Sequence, residues 1–256
     1  MSSAWRNAVV GGALIAAAGG VLSALSDDVS TAAVAKVDPV DPKATYDGRF
    51  SFVRVRVGQP LGTTYRRLPP WAHDFPRADF HFMKILEEIT FVRTMVDQGN
   101  IMTLDDPDLP MFPIAYLSEP GYWSMSDAEA AGLRNYLKKG GFIIFDDFRT
   151  VHNANLFAQM RMVLPEAIWR PLDLSHPIFH SFFEIKTLEV DSYYGHAEWL
   201  GIFEDNDPNK RLMAVANSNH DLGEYWEFSD TGYMPVDLSN DAYKFGVNYV
   251  IYAMTH

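Results

Sequence analysis

The chain has 256 residues, 48% of them hydrophobic, a formal net charge of -12 and no cysteine. That length buries one substantial core and is short for two full domains. The charge argues against a nucleic-acid partner, because phosphate backbones reward clustered Lys and Arg, and the missing thiol excludes disulfides, thiolate nucleophiles and zinc-thiolate sites.

At the start, Arg6 precedes an uncharged run from Ala8 to Leu25, and Asp27 and Asp28 follow it. With the positive flank leading, the rest of the chain is expected outside the cytoplasm. The run of about 18 residues, roughly 27 Å as a helix, is at the lower limit for a membrane span and also fits a secretory signal. Within it Gly12, Ala16, Gly20 and Ala24 continue a four-residue spacing begun at Ala8, which builds a helix face that a second transmembrane helix can approach closely. No good small-x-small cleavage site follows Leu25, so residues 1–25 are expected to stay as a single anchor in a bacterial inner membrane, with the domain in the periplasm. Secretion to the periplasm is the alternative.

Residues 26–45 are acidic and alanine-rich with two Asp-Pro pairs, which predicts an extended linker. From Arg49 to Val57 apolar residues alternate with arginines, which predicts a strand, and a Pro- and Arg-rich loop containing Arg66 and Arg67 follows. Helical spacing of Phe80, Met83, Leu86 and Ile89 predicts a crossover helix over 77–92. Phe112 to Leu117 reads as a buried strand, and Ser126 with Glu129 as a capping box for a helix that ends at Gly140.

The stretch YLKKGGFIIFDD, from Tyr136 to Asp147, then runs from a helix end through a Gly-Gly stop into a buried parallel strand that delivers two carboxylates to a sheet edge. A helix through 154–163, apolar runs at 199–203 and 212–216, and a last helix over 239–254 complete the chain. Alternating strands and helices predict an α/β fold over 46–256, an open and mostly parallel sheet with helices on both faces.

Five segments in order, YLKKGGFIIFDD, HPIFHSFF (176–183), LGIF (200–203), NSNHDLGEYWE (217–227) and GVNYVIYAMTH (246–256), resemble the domain-of-unknown-function 4159 family. The resemblance covers about residues 46–256. It implies a flavodoxin-like sheet related to the class I glutamine-amidotransferase-like group, and no established activity. Family members usually carry a Gly-His pair after the strand that matches 112–117, where this chain has Ser118-Glu119-Pro120-Gly121. Amidotransferase chemistry needs a Cys nucleophile and is excluded by its absence.

Ligands bind beyond the carboxyl ends of strands in such sheets, which makes Asp146 and Asp147 candidates. Neighbouring strand residues point to opposite faces, so one is expected to face a cleft while the other caps a helix or pairs with a base. His176 and His180 are the histidines considered as their partners, but Pro177 between them argues against a helical metal pair, and no metal or cofactor is expected. Asp221, Glu224, Trp226 and Glu227 are read as an acidic, aromatic loop of the kind that binds or cleaves sugars.

Two functions are therefore expected, the first favoured and the second as its alternative. In the first the domain is a non-catalytic accessory subunit, anchored in the lipid bilayer and packed on larger membrane protein subunits. In the second it is a hydrolase-like or carbohydrate-binding domain working at the sheet's carboxyl edge.

Overall fold

The computed structural model describes residues 42–58, 68–96, 98–192 and 195–256. The expected anchor with Gly12, Ala16, Gly20 and Ala24, most of the linker, and Arg66 and Arg67 lie outside the described residues. Among the described residues no helix is long and apolar enough to cross a membrane.

Short strands β1 (Val53–Val55), β2 (Ile101–Met102), β3 (Ile114–Ser118) and β4 (Phe142–Phe148) are separated by helices α1 (Arg77–Ile89) and α2 (Asp127–Lys138). After β4 come α3 (Asn153–Val163), β5 (Arg170–Pro171), a small antiparallel ribbon β6 (Asp191–Ser192) and β7 (Gly195–His196), then β8 (Glu198–Phe203), β9 (Leu212–Ser218), α4 (Leu222–Glu227) and α5 (Val236–Thr255). One seven-stranded sheet has the order β2-β1-β3-β4-β9-β8-β5. Its first five strands pair in parallel, while at one edge β8 pairs antiparallel with β9 and β5 antiparallel with β8.

Side chains alternate across this sheet into two cores. Phe52, Tyr116, Ile144 and Val215 pack with α1, α4 and α5 residues such as Phe82, Trp226 and Val247. Val53, Ala115, Ile143 and Ala214 pack on the other face with Leu133 and Leu137 of α2 and Leu156 and Met160 of α3. Helices therefore cover both faces, which is why β3, β4 and β9 are apolar on both sides.

Local signals explain the element ends. The capping box at α2 is formed in both directions, with Glu129 N donating to Ser126 Oγ at 3.2 Å and Ser126 N donating to Glu129 Oε2 at 2.7 Å. Gly140, at a φ of 105°, takes the left-handed turn that ends the helix and leads into β4.

Several elements differ from the sequence reading, among them the two-residue strands β5, β6 and β7, which it does not contain, and α1, which ends at Ile89. The two-residue strand β2 is too short to carry a pattern. The last helix begins at Val236, one turn earlier than expected: Pro235 precedes its first residue, and the added turn, with Val236 and Leu238 exposed, lies outside the apolar stripe. Residues 222–227 are a helix and not a loop; Asp221 caps it by accepting from Glu224 N at 2.8 Å.

Candidate functional site

The carboxyl ends of β3, β4 and β9 lie side by side near the middle of the sheet, and β4 changes character there. Its pairing with β9 slips between Phe145 and Phe148, a bulge that holds Asp146 and Asp147. Asp147 takes a left-handed backbone with a φ of 56°. Its side chain consequently leaves the strand in its own direction.

Asp146 is fully buried and fully engaged. Tyr116 Oη donates to it at 2.7 Å, Asn217 Nδ2 at 2.8 Å, and the backbone N–H groups of Leu222 and Gly223 at 2.8 and 3.1 Å. Tyr249 Oη in turn donates to Asn217 Oδ1 at 2.8 Å. This network ties β3, β4, β9, α4 and α5 together. Burial pushes the Asp146 carboxyl up to about 6, opposed by the hydrogen bonds from Tyr116 and Asn217.

Asp147 faces the segment before α1. His73 Nδ1 is 2.9 Å from Asp147 Oδ2 and 3.5 Å from Glu119 Oε1, and the His73 side chain is half-exposed. Ser118 Oγ donates to Asp147 Oδ2 at 3.4 Å. Hydrogen bonding to Asp147 raises His73 to about 9 in spite of its partial burial, with the charges of Asp147, Asp74 and Glu119 adding to the effect. Burial, with the charge of Asp147, raises Glu119 to about 7.

A strand arginine delivers this segment. Arg54 of β1 is completely buried; its Nε donates to Asp79 Oδ1 of α1 at 3.1 Å, and its Nη1 donates to the carbonyls of Trp71 and His73 at 3.3 and 2.8 Å. Its guanidinium also lies 4.8 Å from the Tyr116 ring. Arg54 thus staples residues 71–73 against the sheet edge, and Asp74 follows directly.

Asp74, Asp147 and Asp221 are each at most 7% exposed. One carboxylate oxygen from each lies within 4.8 Å of the others, and ligand atoms of His73, Glu119 and Asp147 make a second group of the same size. Among the described residues Asp74 Oδ2 has no hydrogen-bond partner. Asp74, Glu119 and Asp147 all have positive φ, at 61°, 51° and 56°. Non-glycine residues adopt that region rarely, and such strain concentrates where a protein holds functional groups. Burial first, and the charge of Asp147 second, push the Asp74 and Asp221 carboxyls well above the usual range. Several carboxylates at one edge can share protons or hold a cation; they cannot all be ionised without one.

The other sequence candidates lie elsewhere. His176 Nδ1 accepts from Ile178 N at 3.2 Å, with its ring against Phe203 and Tyr252. His180 contacts the Leu174 carbonyl and Glu184. Neither shares a partner with Asp146 or Asp147, so these histidines do not complete an acid-base set with the aspartates. Trp226 is fully buried and stacks on Phe82 with ring centroids 4.5 Å apart, so it offers no platform to a sugar. Its helix brings Asp221 into the cluster and leaves Glu224 and Glu227 half-buried nearby.

The model of the family described as Domain of unknown function (DUF4159) matches residues 51–254. The chain belongs to this family. Every residue of the acidic edge, from His73 to Asp221, falls inside the family match. No curated protein matches the chain.

His73, Asp74 and Glu119 escape the sequence reading. Glu119 immediately follows the strand next to β4, a position that could have drawn notice. His73 and Asp74 sit in an aperiodic Pro-rich loop and reach the edge only through the buried Arg54.

Proposed function

We propose that the domain is hydrolase-like and that His73, oriented by Asp147, is its acid-base group at the sheet's carboxyl edge. The observation that carries this reading is the 2.9 Å contact between a half-exposed imidazole and a buried carboxylate, with Glu119 beside the same nitrogen. An imidazole held through one nitrogen offers its other nitrogen to a substrate or water. The chain has no thiol, and Ser118 is buried in the sheet, so water is the expected nucleophile. The strand order of the parallel part favours a flavodoxin-like sheet, with the amidotransferase-like group as its wider kin. The test is turnover of a panel of chromogenic phosphate, ester and glycoside substrates by the purified full chain. Turnover that His73→Gln removes while the fold persists is expected, and equal turnover by wild type and His73→Gln would overturn the reading.

A second reading rests on a different surface. Phe91, Tyr233 and Val236 are largely exposed, and a cavity of about 640 Å³ next to Val236 is lined also by His81, Ile89 and Phe183. Exposed apolar side chains, two of which (Ile89 and Val236) line this groove, favour a docking role, in which the domain packs on membrane protein subunits in the periplasm. Replacing Phe91 and Val236 with Ser, then comparing the proteins that co-purify from membranes, tests it; an unchanged set counts against docking.

A further inference from the structure

We propose that Asp74, Asp147 and Asp221 bind a hard divalent cation of the magnesium or calcium type. The site lies on the edge named above, so the inference deepens the hydrolase-like reading, though the geometry stands without it.

The three carboxylates come from three separate segments: the loop before α1, the bulge of β4, and the cap of α4. Each is nearly excluded from water, and one oxygen of each lies within 4.8 Å of the other two. Ionised carboxylates so placed repel one another strongly where water cannot screen them. A buried acid normally answers this with a cation or a full set of donors. Asp146, the immediate neighbour, has four donors. Asp74 Oδ2 has none.

The nearest cationic groups among the described residues are already committed. The Arg54 guanidinium is divided among Asp79 and the carbonyls of Trp71 and His73. His73 is bound through Nδ1 to Asp147 Oδ2. Asp221 Oδ1 accepts from Glu224 N, and Asp147 Oδ2 from His73 and Ser118. Among the described residues no donor reaches Asp147 Oδ1 or Asp221 Oδ2. Each aspartate therefore keeps an oxygen for a ligand.

The donor set specifies the kind of ion. Three carboxylate oxygens with no sulfur match hard cations, which complete their shells with water. His73 acts here as a positioning residue: its hydrogen bond to Asp147 Oδ2 restrains the orientation of that carboxylate. Gly223 shows how closely the site is enclosed. A Cβ at that position would sit 2.4 Å from Asp74 Oδ2 and 2.9 Å from Tyr116 Oη. These two distances also place the Tyr116 hydroxyl close to the cation ligands.

That proximity supplies the readout. Terbium(III), a hard oxygen-seeking ion, emits when a nearby tyrosine is excited. Titrating the full chain with terbium should give saturable sensitised emission for one ion per chain, displaced by calcium or magnesium. Asp74→Asn and Asp221→Asn should each weaken binding by about tenfold or more, while Asp241→Asn, an exposed acid on α5, should leave it unchanged. Circular dichroism of each variant separates lost binding from lost fold. Emission that does not saturate, or saturable emission indifferent to the Asp74→Asn/Asp221→Asn double substitution, overturns the proposal. The substrate panel, run with and without EDTA, separates the two ideas. Ion binding without turnover keeps the cation site and counts against the hydrolase-like reading; turnover indifferent to EDTA together with no ion binding does the reverse.

Discussion

Asp146 and Asp147 are adjacent in the chain and opposite in circumstance. The region around Asp146 is closed: four donors from three elements converge on a carboxylate with no exposure. The region around Asp147 is nearly as buried but over-supplied with acid, and its backbone is strained at three positions. The difference teaches that a buried charge is not by itself a sign of function. What distinguishes a candidate site is an unmet requirement, here the Asp74 oxygen without a partner.

Substitutions can break this comparison. Arg54→Met should cost most, about 3–5 kcal/mol in urea unfolding, because Asp79 would stay buried and unpaired; the 71–73 segment would also lose its staple. Asp146→Ala should cost about 3 kcal/mol, since Tyr116, Asn217 and two backbone N–H groups lose their acceptor. Asp74→Asn should act with the opposite sign. In chelator it should gain about 1 kcal/mol, because it removes a buried carboxyl whose ionised form is opposed by burial and by Asp147, and a loss there would show that Asp74 is structural like Asp146.

The smallest effect concerns a histidine whose needs are met. Burial lowers the pKa of His176, with Asp173 and His256 pulling in opposite directions. Its folded-state value lies below the unfolded one, so the unfolded chain takes up the proton first. Stability should be full above about pH 6.5 and decline below it, by a few tenths of a kcal/mol given the partial exposure. Unfolding midpoints of wild type and His176→Asn on either side of that pH would reveal the difference; an identical acid loss in both would remove His176 from the account.

Much of the fold is legible because it is periodic. The apolar run of β4, the capping box of α2 and the stripe of α5 each follow from local rules. The two-residue strands β2 and β5 carry no such pattern and exist through their neighbours. Helix α4 was hidden because its six residues hold one turn and a half, dominated by acids that suggest a loop. Of the edge cluster, Asp146, Asp147 and Asp221 were visible as polar residues beside apolar runs. The separation of roles between the two β4 aspartates is set by the bulge, which has no sequence signature here, and His73 and Asp74 depend on an arginine far away in the chain.

The bulge also has a meaning for descent. Phe145 and Phe148 both belong to the core on the α2 and α3 side, although they are three positions apart. Strict alternation would send them to opposite faces. Asp147 is thus a supernumerary residue: removing its single codon would leave Phe148 on the side it now occupies and every apolar position of the strand in phase. A lineage carrying this fold could acquire or discard the Asp147 carboxylate in one three-nucleotide step, with the phase of the strand's apolar residues unchanged.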